Sequence, residues 1–133
     1  MADFLGIVID QSLLNKDFIN HMDVVARRQV GAWGFLLVSV PKQEMHTRIA
    51  ALQQSMVDIK EGGWYAHFFR DDELIVVYQD RVFHTTVDPE TWSPSIQHGL
   101  NNGIPREQLD FTPRTRTDAW AYFDDATDGG GSS

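Results

Sequence analysis

Residues 62–87 read GGWYAHFFRDDELIVVYQDRVFHTTV, and this stretch decides the fold. Gly62-Gly63 opens it, and two polar turns divide it, at Arg70-Asp71-Asp72-Glu73 and at Gln79-Asp80. Between the turns the residues are aromatic or β-branched, as strands prefer. Two-residue turns then set the pairing: Phe69 opposite Leu74, His67 opposite Val76, Tyr65 opposite Tyr78, Val76 opposite Phe83. Side chains alternate across a strand. One face therefore carries Tyr65, His67, Phe69, Leu74, Val76, Tyr78, Arg81, Phe83 and Thr85. The other carries Trp64, Ala66, Phe68, Ile75, Val77, Val82 and His84. Neither face is plainly polar, so both need covering by helices, a partner chain or a ligand. The second reads as ordinary core. The first mixes aromatic residues with His67 and Arg81, which makes Tyr65, His67, Tyr78, Arg81 and Phe83 the candidate ligand or interface face.

Upstream, Phe4 to Ile9 is an apolar run that reads as a buried strand. Ser12 is placed to cap a following helix with Leu13, Leu14, Phe18, Ile19 and Met22 on its inner side. Two readings fit residues 22–30. Leu14, Phe18, Met22 and Val25 have the spacing of a helix running on to about residue 29. Alternatively Val24 to Val30 is a strand that turns at Gly31-Ala32 into Trp33 to Val40. The hairpin is preferred, because WGFLLVSV is strongly strand-forming and follows a glycine-flanked turn. Met45, Ile49, Leu52, Met56 and Ile59 predict a helix over 42–59, ended by Gly62-Gly63.

Downstream of the meander, Asp88-Pro89 is a good helix start, with Pro94 placed to kink or restart the helix. Trp92, Ile96 and Leu100 form its inner stripe, and a short helical turn follows at residues 104–109. The order β-α-β-β-α-β, then two more strands and a C-terminal helix, predicts an α+β domain. Its first six elements match a ferredoxin-like split βαβ with a mainly antiparallel sheet. The single domain is expected over 1–113. Residues 114–133, ending DDATDGGGSS, read as a disordered acidic Gly/Ser tail in which Trp120, Tyr122 and Phe123 are out of character.

At 133 residues and 42% hydrophobic content the chain is long and apolar enough for one real core, not a disordered polymer. No run is long enough to cross a membrane, and MADFLGIVID lacks the basic start of a signal peptide. The absence of cysteine removes disulfides and thiolate metal sites and makes a cytoplasmic address the default. Of the 19 acidic residues, Asp118, Asp124, Asp125 and Asp128 fall in the tail. Residues 1–116 still set 15 acids against all 11 Lys/Arg, which argues against binding nucleic acid through phosphates.

Residues 64–86, together with TWSPSIQHG at 91–99 and NNGIPREQLDFTP at 101–113, resemble a family of small bacterial and archaeal proteins of unknown function. The resemblance covers about residues 3–113. Its most specific parts are the WYAHF and GIPREQLDF segments. The family implies no activity, so no catalytic role is carried over.

His67, mid-strand among aromatics, has the position of a general base or a buried hydrogen-bonding group. His84 falls on the core face and reads as structural. A metal would need two or three of His21, His46, His67, His84 and His98 to converge with a carboxylate, and no pair has helical spacing; no metal or cofactor is expected. Arg81 could bind a small anion, with Arg27 or Arg28, or pair with Asp80 or Glu107. Asp10, at a strand end, and Asp110, between Leu109 and Phe111, read as structural acids. Phosphate loops, nucleophile elbows and HExxH or CxxC motifs are absent. Two functional readings follow. In one, the chain is an interaction module that self-associates as a homodimer through the aromatic face. In the other, the same face forms a small-molecule pocket or an enzyme site at His67 and Arg81.

Overall fold

The computed structural model describes residues 3–14, 17, 22–31, 33–56, 64–109, 111 and 117–123, the Glu107 side chain excepted. Six strands form one antiparallel sheet: β1 (Phe4–Ile9), β2 (Asp23–Val30), β3 (Trp33–Val40), β4 (Tyr65–Arg70), β5 (Glu73–Tyr78) and β6 (Val82–Thr86). Their spatial order is β2-β3-β1-β4-β5-β6. Helix α1 (Met45–Ser55) connects β3 to β4, and α2 (Ser93–Asn101) follows the last strand. A third helix, α3, spans residues 117–123. No helix among the described residues is long and apolar enough to cross a membrane.

The meander pairs as its sequence predicts. Phe69 lies opposite Leu74, His67 opposite Val76 and Tyr65 opposite Tyr78, and Val76 is opposite Phe83. The 22–30 segment is a strand, joined to β3 through Gly31 at φ +59°. That left-handed conformation is open to glycine without steric penalty. The helix expected over 42–59 begins as a 3-10 turn at Lys42–Glu44, continues as α1, and passes into Met56, which bridges to Leu13; residues 57–59 lie outside the described residues. Asp88 caps a 3-10 turn by accepting from the Glu90 amide, and α2 restarts at Ser93 with Pro94 in its first turn.

Each face of the sheet has its own core. On one face Phe4, Val8, Leu36, Val38, Phe68, Ile75 and Val77 pack under Ile49 and Leu52 of α1. On the other, Leu5, Ile7, Leu37, Phe69, Leu74, Val76 and Tyr78 are covered by Trp92, Ile104, Leu109, Phe111, Ala119 and Phe123 from the C-terminal third.

Three expectations need correction. Leu14 is not an inner residue but is 78% exposed, because the backbone at Asp10–Ser12 forms a 3-10 turn and the Leu14 amide donates to the Ser55 carbonyl. Ser12 donates its hydroxyl back to Ile9 instead of capping a helix. Within the segment expected as a disordered tail, residues 117–123 are helical and bury Ala119 and Phe123. The spacing of Ala119, Tyr122 and Phe123 supplies one apolar helical stripe.

Candidate functional site

The five residues singled out on the mixed face do not form one open site. His67 is 3% exposed; its ring stacks on Phe69 at 5.9 Å and lies 6.2 Å from Tyr65 and 6.5 Å from Phe111. Tyr78 is fully buried and donates its hydroxyl to the Ser95 carbonyl at 2.6 Å. Burial, reinforced by the Asp80 carboxylate, holds its hydroxyl well above the ordinary tyrosine range. Tyr65 is half-buried and donates to the Gln108 carbonyl. Phe83 is half-buried on the edge strand, edge-on to Tyr78. Arg81 is exposed at the β5–β6 turn, its guanidinium 4.9 Å from the Phe83 ring. The mixed face is therefore covered mainly by the chain's own C-terminal third.

Phe111 is the most constrained part of that cover. It is fully buried at φ +49°, a conformation uncommon for an aromatic residue. Trp92 and Tyr65 hold its ring from two sides, at 5.1 and 5.3 Å. Such a backbone persists where the surrounding packing over-determines it. The neighbouring Asp110 lies outside the described residues. His84, expected in the core, is exposed on β6. His98, weighed in the sequence only as one of five possible metal ligands, pairs with Asp80 at 2.8 Å and packs 4.8 Å from the Tyr78 ring, tying α2 to the β5–β6 turn. Among the described residues, no three His, Asp or Glu side chains are grouped to hold a metal.

Among the described residues, an opening lies at the end of the sheet where β1 stops. A cavity of about 200 Å³ is lined by Asp10, Arg27, Arg28, Gln29, Gly34, Phe35 and Leu36. Residue 34, a glycine, is part of this lining. A Cβ there would stand 3.3 Å from the Gln29 side-chain oxygen and 3.4 Å from the Asp10 Cβ, so a larger side chain would fill the space. The Gly34 amide donates to the Gln11 side-chain oxygen at 3.0 Å, and Gln29 donates to the Gly31 carbonyl. Arg28 points to the other face of the sheet. It donates to the Tyr122 carbonyl at 2.9 Å and covers that ring at 4.1 Å, anchoring α3. Arg27 is exposed and makes no described hydrogen bond, ion pair or ring contact.

Half-buried aromatic rings surround this end. Trp33 lies 5.1 Å from Trp64 and 6.4 Å from Phe35, which is edge-on to Tyr122 at 6.2 Å. Unlike Phe68, Phe111 and Phe123, which are buried completely, the rings of this cluster are partly open to water. Comparison with protein-family models, with curated proteins and with solved structures finds no match.

Proposed function

We propose that this chain is a small binding module whose ligand docks at the sheet end bounded by Asp10, Arg27, Gln29 and Gly34, not on the mixed face around His67. The cavity beside Gly34, next to the exposed Arg27, for which no partner is described, carries this reading. A concave site with a few convergent polar groups is a common form of ligand site. The filled mixed face speaks against a pocket joining His67 to Arg81, since one is buried mid-strand and the other sits on a turn. The resemblance to a family without assigned activity adds no reaction, and binding is the simplest use of the groups present.

Uniformly ¹⁵N-labelled protein titrated with mixtures of cationic, anionic, zwitterionic and neutral small metabolites tests the proposal. The expected amide shifts cluster at Gln29, Gly34, Phe35 and Leu36. Shifts centred on Tyr65, His67 and Phe83, or none with any mixture, would contradict it.

A second reading is a homodimer formed not through the aromatic face, which the chain's own C-terminal third covers, but through the β2 edge, and one observation favours it. β2 is an edge strand of eight residues, and Val25 and Val30 on it are 38% and 44% exposed. An edge that no other described strand pairs with offers backbone groups to another chain. Light scattering should then give a dimer that Val25→Lys or Val30→Lys returns to monomer.

The ferredoxin-like arrangement of the first four strands belongs with this proposal. The order β2-β3-β1-β4, antiparallel at every step, supports it, with α1 as the second crossover helix. Residues 15, 16 and 18–21 of the connection between β1 and β2 lie outside the described residues. A cytoplasmic setting, expected from the lack of cysteine, is likewise proposed.

A further inference from the structure

The cavity at the sheet end has opposite charges on its two sides. Asp10 follows β1, on one side of Gly34, and Arg27 lies on β2, on the other, opposite Leu36. β3 separates the two strands, so their backbones stand roughly 10 Å apart. The reach of the two side chains shortens that gap to the scale of one small molecule. About 200 Å³ corresponds to roughly six or seven water volumes, which suits a ligand of about ten non-hydrogen atoms.

From these features we infer that the site takes a small zwitterion carrying an ammonium and a carboxylate, such as a free amino acid. This rests on the binding-module reading above. The Arg27 guanidinium donates to the ligand carboxylate, and its planar fork suits a bidentate contact. The Asp10 carboxylate accepts from the ammonium; with about four lone-pair directions, it can do so while keeping other contacts. Leu36, on the same face of the sheet as Arg27 and Asp10, offers apolar surface to the ligand's side chain. The protein's net charge of −8 disfavours approach of a simple anion, whereas a zwitterion carries no net charge. A simple cation would leave Arg27 facing a like charge.

Isothermal titration with L-leucine, 4-methylpentanoate and 3-methylbutylamine separates the contributions, because the last two lack the ammonium and the carboxylate respectively. L-leucine is expected to bind at least about tenfold more tightly than either, the scale of losing one charge-assisted hydrogen bond in a partly wet site. Arg27→Met should weaken L-leucine by about tenfold or more while leaving 3-methylbutylamine unchanged or improved. Asp10→Asn should do the converse for 4-methylpentanoate, with thermal melts confirming that both variants fold. Equal affinities for the three wild-type ligands, tighter binding of a singly charged one, or no binding of L-leucine at millimolar concentration would overturn the zwitterion inference. The binding-module reading falls separately, if none of the metabolite mixtures shifts Gln29, Gly34, Phe35 and Leu36.

Discussion

Phe123→Ala is the most informative single change for the architecture. Phe123 is 1% exposed and packs in the core that contains Leu5, Ile7 and Leu37, with its ring 5.4 Å from Tyr122. Removing a buried phenyl ring loses its transfer free energy and leaves a cavity, together about 3–5 kcal/mol. For a domain of this size that corresponds to a fall in melting temperature of roughly 10–20 °C. Deleting residues 117–133 should cost at least as much, since it also removes Ala119 and the Tyr122 carbonyl and ring that hold Arg28. Urea unfolding and thermal melts by circular dichroism supply the measurement, with Trp120→Ala as the comparison. Trp120 is 37% exposed and should matter much less. A deletion that left the melting temperature within a few degrees of wild type would refute the docking of this helix. The segment would then behave as the free acidic tail its composition describes.

The remaining predictions concern the covered face. Because burial raises the Tyr78 hydroxyl pKa, the unfolded chain ionises this group first, near the ordinary value of 10.0, while the folded chain keeps it neutral. Its contribution is therefore intact below about pH 10 and lost above it, by up to about 1.4 kcal/mol per pH unit. Tyr78→Phe should flatten that alkaline slope while costing about 1 kcal/mol at neutral pH through the lost bond to Ser95; equal slopes for the two proteins would show the reasoning wrong. His67→Gln should lower stability by about 1–3 kcal/mol and leave ligand binding and association untouched. Lost binding at unchanged stability would restore His67 as a functional group.

The parts of the fold legible in the sequence were those set by local chemistry. Two-residue turns at Asp71-Asp72 and Gln79-Asp80 fixed the register of β4, β5 and β6, and Gly31 fixed the β2–β3 hairpin. The composition of the mixed face was also read correctly, but not what covers it. That cover comes from Trp92, Ile104, Phe111 and Phe123, residues distant in sequence, and composition alone cannot place such partners. The signal available was the helical spacing of Ala119, Tyr122 and Phe123, masked by the acidic and Gly/Ser residues beyond it. His84 follows the alternation of its strand, yet β6 is an edge, and the cover on that face reaches Val82 but leaves His84 exposed. The cavity was the least legible feature. It requires β1 to lie beside β3, which sets Asp10 next to a glycine 24 positions away in a different element. Asp10, Arg27 and Arg28 were each noticed, but nothing local says that two of them share an opening.

Filling that opening tests the placement of the site most directly. Gly34→Val keeps a strand-forming residue at the position and puts methyl groups where the ligand would sit. Wild-type and Gly34→Val proteins, both ¹⁵N-labelled, would be titrated with the same metabolite mixtures. The account predicts shifts at Gln29, Phe35 and Leu36 in the wild type that disappear in a variant whose spectrum is otherwise native. Undiminished shifts in Gly34→Val, or shifts in both proteins centred on Tyr65 and Phe83, would contradict it.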